Sequence, residues 1–392
     1  MKFLFIDASP TMIAKNLLPI ADKVFEINTQ HEFDFISLEL SSYTDSDKET
    51  ESQLLLQKND NYNFYKMKIR DIEKNIISKN YSYIVLGGYR LFDMYIISIA
   101  NSYNIPTINF QHGFEIDSVY YKYQILFEQI KKVIKNLVIS WYLCRKINTS
   151  FLKFLLQYGE YFFYGNSLRS SLLDNPIFRP TILFVYSEYY MKFWKNKFGL
   201  PYEIMKIIRP VDFNQIPKIR SSKRHTACCY LTQTLVEDGR LSKKLFDQLI
   251  IENYKKLANQ IDHLIIKLHP RSRVSLYDEL LQLPNVTLVR EFPNCSVYLS
   301  HYSSTLFTAA FLSSCLIIHE LPGNPTPSIF QDLTENIFTD ISDVISTVAN
   351  NINSDMPSFE DGEKMVDYIA SSKAPDAIES ISVTLISSSE TN

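Results

Sequence analysis

Glycine is scarce in this chain, with 9 in 392 residues. None of them forms the Gly-x-Gly-x-x-Gly or Gly-x-x-x-x-Gly-Lys loops that cradle phosphates after a strand. Cysteine is scarce as well. Cys144, Cys228, Cys229, Cys295 and Cys315 are odd in number and contain no Cys-x-x-Cys pair. That excludes a disulfide framework or a zinc ribbon and fits thiols used as small apolar residues in a reducing cytoplasm. No apolar run reaches the roughly 18–20 residues of a membrane span. The short run in "MKFLFIDASP" is also below the length of a signal-peptide core. Charge of one sign is missing too. Forty Lys and Arg stand against 43 Asp and Glu, for a net charge of −3. A chain so balanced has no global field to recruit nucleic acid, and any basic site must be local.

Apolar residues are plentiful, at 46%. A chain of this length divides into two domains of roughly 150–200 residues, each with its own core. Short apolar runs alternate with longer helical ones: "KFLFID", "FDFISL", "YSYIVLGG", "PTINFQHG", "TILFVYS" and "EIMKIIRP", then "HTACCYLTQ", "DHLIIKLHP", "VTLVRE", "CSVYLSH" and "CLIIHELPG". This is the rhythm of βαβ units on parallel sheets, an α/β class. A helix is expected over about 63–79, and another in "STLFTAAFLSS". Residues 118–165 break the rhythm as a helical insertion, and "DFNQIPKIRSSKR" at 212–224 reads as a linker. The expected division is 1–213 for the first domain, 225–350 for the second, and 351–392 for a C-terminal helix with a Ser-rich tail that frays from about 376.

Three short segments of the second half could carry chemistry, each at the C-terminal end of an expected strand, where open α/β sheets bind ligands. The first is "LTQTLVEDG", with Glu237 and Asp238 side by side before Gly239. Either this is a polar turn feeding a helix N-terminus, where acids are favoured, or one acid is a base. A second Glu-Asp-Gly at 360–362 follows no strand. The next segment is "IIKLHPR", where His269 stands among Lys267, Arg271 and Arg273 and could donate a proton or hydrogen bond to a leaving phosphate. In "SHYSSTLFTAAFL", Ser303, Ser304 and Thr305 open an apolar helix, as phosphate ligands or as an ordinary cap. Glu320, after "CLIIH", could hold ribose hydroxyls. In the first half, Gln111 and His112 of "NFQHG" end a strand and could touch acceptor or donor, or merely cap a turn. Asp45 and Asp47 have Asp-x-Asp spacing but sit in a polar stretch, so no metal is expected.

The ordered set Glu237-Asp238-Gly239, His269-Pro270 and Ser303-Ser304-Thr305 resembles the motifs of bacterial sialyltransferases, over about 225–325. The lipooligosaccharide sialyltransferases and capsule polysialyltransferases are the nearest types, and "LTQTLVEDG" is similar to the former. The resemblance implies the GT-B fold, two Rossmann-like domains facing a central cleft. It implies a CMP-sialic acid donor, no metal cofactor, and inversion at the transferred sugar. Asp238 would be the general base, with the share taken by Glu237 left open. His269 would assist departure of CMP. Ser303, Ser304 and Thr305 would bind the phosphate, with Lys267 and Arg271 close by. The acceptor implied is a surface glycan such as lipooligosaccharide, capsule or O-antigen, with terminal galactose the best single choice. Gln111-His112-Gly113 is similar to a segment of capsule and teichoic-acid-type polymerases. That keeps a polyol-phosphate polymerase open, beside transferases of pseudaminic or legionaminic acid and a non-catalytic glycan-binding scaffold.

The insertion carries its own question. Lys131, Lys132, Lys135, Arg145, Lys146 and Lys153 are interleaved with Trp141, Tyr142, Phe151, Phe154 and Leu155. A basic, aromatic, amphipathic helix can lie in an anionic membrane surface. It can equally pack on its own domain or on a second subunit in a homodimer.

Overall fold

The computed structural model describes residues 1–39, 45–56, 61–114, 126–156 and 175–387. The chain forms two compact units. Unit 1 is built from Met1–Gly113, Val133–Val211 and the stretch from Lys373 onward, and unit 2 from Phe114–Lys132 and Asp212–Ser372.

Unit 1 holds a seven-stranded parallel sheet in the order β3-β2-β1-β4-β5-β6-β7. Its strands are β1 (Lys2–Asp7), β2 (Glu32–Leu38), β3 (Tyr62–Met67), β4 (Tyr83–Gly87), β5 (Thr107–Phe110), β6 (Ile182–Val185) and β7 (Met205–Ile207). Central strands such as β1 are apolar throughout because both of their faces are covered, and Phe3, Leu4, Phe5 and Ile6 are wholly buried. Unit 2 holds a six-stranded parallel sheet, β10-β9-β8-β11-β12-β13. These strands are β8 (Arg224–Leu231), β9 (Leu264–Lys267), β10 (Val286–Val289), β11 (Asn294–Ser300), β12 (Cys315–His319) and β13 (Ile337–Phe338). In each unit the strand order reverses beside the first strand, between β1 and β4 and between β8 and β11. Such a reversal opens a crevice at the C-terminal ends of the strands.

Four expectations need correction. Residues 62–67 are a strand, with the helix starting only at Ile69. Tyr62 and Phe64 alternate inward along β3, a two-residue period too short to stand out against the helical pattern that follows. The supposed linker is folded into unit 2 as a 3-10 turn and the helix Ile216–Ser221. Arg220 donates to the carbonyls of Phe311 and Pro357, and Arg224 to those of Leu312 and Ser354, so its two arginines are stitches and not part of a solvated tether. The supposed frayed tail is the helix Ala377–Ser387, which buries Ala377, Ile381 and Leu385 in unit 1. The helix expected over "STLFTAAFLSS" shrinks to Thr305–Ala309. The five cysteines are free and buried, as the spacing suggests. Asp45 and Asp47 stand at the start of the helix Asp45–Leu56. Among the described residues no group of His, Cys, Asp and Glu is placed to hold a metal ion.

Candidate functional site

The motif residues of the second half gather at the C-terminal edge of the unit 2 sheet. β8 ends at Leu231 and delivers Thr232, Gln233 and Thr234. Its parallel neighbours β9 and β11 deliver His269 and Ser303. Side chains tie these ends together. The Thr232 hydroxyl accepts the backbone N–H of His269 at 2.7 Å. The Gln233 amide donates to the Tyr302 carbonyl, linking the ends of β8 and β11 across the point of reversal.

The paired acids do not act as a pair. Gly239 takes φ +68°, which closes a tight turn that few other residues could adopt and sends the two side chains to different partners. Asp238 accepts both Nη groups of Arg271, at 3.0 and 3.3 Å, the Thr234 hydroxyl at 2.6 Å, and a looser contact from Arg240 at 3.5 Å. Burial opposes its ionisation, but Arg271, Thr234 and Arg240 outweigh it and hold the carboxyl below its ordinary value. Glu237 instead accepts the backbone N–H of Arg273 at 2.8 Å, while its other oxygen is buried without a partner among the described residues. It braces the 272–273 loop and takes no part in the Asp238 cluster.

His269 is a neutral hydrogen-bond donor. Burial, with Arg271 and Lys267 close by, pushes its pKa down to about 4. Its Nδ1 accepts the backbone N–H of Arg271 at 3.1 Å, which leaves Nε2 to carry the proton. The core of unit 2 holds a separate polar aromatic cluster. His301 Nδ1 donates to the His319 carbonyl at 2.7 Å, and Nε2 lies 3.2 Å from the Tyr230 hydroxyl. Burial depresses His301 to about 3 and His319 to about 4, so both stay neutral and serve as structure.

Ser303, Ser304 and Thr305 lie beside the reversal but not at a strong helix dipole. Their helix has five residues, and its amides at Leu306 and Phe307 already bond to the carbonyls of Ser303 and Ser304. What they offer is hydroxyls. Ser303 and Thr305 share a bond of 2.8 Å, and Ser304 is exposed. Glu320 follows β12 and accepts the Thr326 N–H at 2.6 Å, closing its own loop. Sequence reasoning missed Thr232, Thr234 and Arg240. The hydroxyls flanking Gln233 in "LTQT" hinted at the two threonines, and nothing local hinted at Arg240.

In unit 1, Gln111 is buried and spans from the Tyr186 N–H to the Gly113 carbonyl, so it holds the strand exit. His112 is exposed, with Nδ1 3.3 Å from the Asn16 amide. A cluster not foreseen sits at this sheet's reversal. Arg90 Nη2 donates to Asp7 at 2.8 Å, and its Nε and Nη2 donate to Asp93 at 2.8 and 3.0 Å. Asp93 also accepts the Arg90 N–H, so the cluster caps the helix Leu91–Ser102.

No protein-family model matches the chain, and no curated protein matches it by sequence. Solved structures do match in fold. The UDP-GlcNAc 2-epimerase of Neisseria meningitidis, bound to UDP-GlcNAc, superposes with a TM-score of 0.55 at 11% identity over 100% of both chains. A variant of the wall teichoic acid polymerase TagF gives 0.56 at 12% identity, over 99% of this chain and 88% of that one. The UDP-GlcNAc 2-epimerase of Methanocaldococcus jannaschii, with UDP-GlcNAc and UDP, gives 0.52 at 14% identity over 94% and 99%. The chain therefore has the GT-B fold, two Rossmann-like units.

Proposed function

We propose that the protein is an inverting glycosyltransferase that moves sialic acid, or a related nonulosonic acid, from a CMP-linked donor to a hydroxyl of a surface glycan. The observation that carries this reading is the company kept at one sheet edge. A carboxylate (Asp238), an Nε2–H imidazole (His269), the cations Lys267 and Arg271, and the hydroxyls of Ser303, Ser304 and Thr305 all stand at the C-terminal ends of the adjacent strands β9, β8 and β11. The structural neighbours that bind UDP-GlcNAc support a nucleotide-sugar donor. The choice of CMP-sialic acid comes from the motif resemblance.

In this mechanism Asp238 takes the proton of the acceptor hydroxyl. The freed oxygen attacks the anomeric carbon from the face opposite the phosphate. The bond from that carbon to the phosphate oxygen breaks, and CMP leaves with the electron pair. His269 donates its Nε2–H to the leaving phosphate as a hydrogen bond and not as a proton, since the imidazole is neutral at pH 7. Lys267, Arg271 and the hydroxyls balance the charge that develops there.

The likeness to TagF, with Gln111-His112 at a strand end, favours a second reading, transfer of a polyol phosphate from a CDP-linked donor. Incubation with CMP-N-acetylneuraminic acid and a lactose-terminated acceptor, following CMP release and product mass, tests the first reading. Sialylated product that disappears in Asp238→Ala supports it. Turnover of a CDP-linked polyol, with none of CMP-sialic acid, replaces it with the second.

We further assign residues 126–156 of the 118–165 insertion, the rest of which lies outside the described residues, to an anionic membrane surface that carries a lipid-linked acceptor. No helix among the described residues is long and apolar enough to cross a membrane. Ile134, Val138 and Trp141 form one exposed stripe on the helix Leu126–Lys146. Leu152 and Leu156 continue the exposure in the next helix, from 45% at Trp141 to 81% at Leu156. Over 126–156 the sequence has six cations and one acid, Glu128. Exposed apolar residues on a segment this rich in Lys and Arg fit an interfacial helix.

A further inference from the structure

Arg271 has two duties that compete. Its Nη1 and Nη2 both grip Asp238, and Nη2 also reaches the Thr234 hydroxyl at 3.2 Å. A carboxylate held end-on in this way presents its best lone pairs to a cation and not to an incoming hydroxyl. The same guanidinium belongs to a residue whose backbone N–H bonds the imidazole of His269, so it stands within side-chain reach of any phosphate that takes the His269 Nε2–H. Its side chain is 49% exposed and rooted in a loop, free to swing about its own torsions. A phosphate offers a guanidinium fork the same bidentate match as a carboxylate, so the two compete for it. A phosphate and Asp238 on the same fork would also repel each other across a few ångströms. Arg240, 3.5 Å from Asp238, remains as a weaker counter-ion when Arg271 departs.

We infer that Arg271 is a donor-sensing gate, which holds Asp238 in an ion pair until a phosphate bound beside His269 draws the guanidinium away and releases the carboxylate to act as base. The inference rests on the transferase reading for the identity of the phosphate. Its structural content, competition between Asp238 and a phosphate for Arg271, is independent of the sugar. The gate makes binding ordered, donor before acceptor, because the acceptor hydroxyl meets a free carboxylate only once the phosphate is in place. Arg271 is thus a positioning residue for the base as well as a ligand of the donor.

Competition has a sign that calorimetry can read. Titrations of CMP into the wild type, Asp238→Asn, Arg271→Gln and the double variant measure it. Asp238→Asn frees the guanidinium and tightens CMP, by about two- to fivefold for a partly exposed ion pair. Arg271→Gln weakens CMP, and adding Asp238→Asn to it changes nothing further. Asp238→Ala carries the same prediction should the Asn variant misfold, with thermal melts as the check. If Asp238 merely orients Arg271 toward the phosphate, neutralising it weakens or leaves unchanged the affinity, and the gate is overturned. Tightening that persists without Arg271 is a field effect of the lost charge and overturns it too. Binding of CDP or UDP but not CMP, with the same pattern of signs, keeps the gate and removes the CMP donor. Failure of all three nucleotides to bind removes both.

Discussion

The two sheets of this molecule reverse in the same way and end in ion clusters of opposite balance. At the unit 1 reversal two carboxylates, Asp7 and Asp93, surround one guanidinium, Arg90. At the same sheet edge of unit 2, on the loops after β8 and β9, one carboxylate, Asp238, lies between two guanidinia, Arg271 and Arg240, with Lys267 and His269 alongside. The first cluster is net negative, and its acids are sealed, with Asp93 0% and Asp7 2% exposed on their side chains. It locks a helix start. The second is net positive, and Arg271 reaches solvent. Shared topology thus supplies two crevices, and charge decides which of them suits a phosphate.

The sharpest way to break this comparison is to exchange the consequences of mutation. Asp238→Ala is expected to lower turnover by about 10²- to 10⁴-fold without weakening CMP, the loss of a general base and not of a ligand. Turnover within a factor of two of wild type would return Glu237-Asp238-Gly239 to being a turn.

Acid should separate the units next. Burial lowers the pKa of His263, His269, His301 and His319 in unit 2, and of His31 in unit 1. A folded-state pKa below the ordinary 6.5 means that the unfolded chain takes up protons first. Stability is therefore full above that value and falls with pH down to the folded pKa, about 4 for His269 and His319 and about 3 for His301. Each of these three should remove on the order of 1–2 kcal/mol by pH 5. Both tryptophans, Trp141 and Trp194, belong to unit 1. Denaturant melts at pH 5 should thus show far-UV circular dichroism changing before tryptophan fluorescence. Coincident curves at both pH 7 and pH 5 would contradict the division.

Arg90→Ala should act on stability alone. It strands two buried carboxylates and is expected to cost about 2 kcal/mol, less than a fully buried pair because Arg90 is half exposed. CMP affinity should stay at the wild-type value, and a loss of affinity would mean that the unit 1 crevice takes part in donor binding. The smallest expected effect is at the insertion. Trp141→Glu should reduce sedimentation with anionic vesicles about tenfold, with neutral vesicles showing little binding in either protein. Unchanged sedimentation would leave the exposed stripe to a second copy of the chain.

The two Glu-Asp-Gly segments show what was legible in the sequence. Sequence context separates them, since only the first follows a strand. The first Gly239 is required for its positive φ. The second, Gly362, is required for space, since a Cβ there would lie 2.8 Å from the Cα of Phe311. Asp361 serves as a helix-start partner, bonded to the Ser358 hydroxyl and amide-capped by it. Identical letters answer to different physics. The strand ends, the cation-rich His269 loop and the hydroxyls at 303–305 could be placed from local pattern alone. The direction of Glu237 could not, because a turn of two residues decides it. Nor could the ion pair of Asp238 with Arg271, which joins residues 33 apart. Long-range partners also hid the linker's role, since Arg220 and Arg224 look solvated until Phe311, Leu312, Ser354 and Pro357 arrive.

The helix Ala377–Ser387 carries a consequence for how the protein is made. It packs on the helix Leu18–Ile27, where the Ser382 hydroxyl donates to the Ile20 carbonyl, and Asp376 pairs with Arg209. Of the two units, the one whose strands are synthesised first is therefore the last to be completed. All of 212–372 must be synthesised, and can fold, while the apolar face of the helix at 18–27 waits for a partner more than 350 residues downstream. During that interval the nascent chain leaves the part of this helix that Ala377–Ser387 later covers open to whatever else is in the cell, and a chaperone that shields it would set the yield of folded protein.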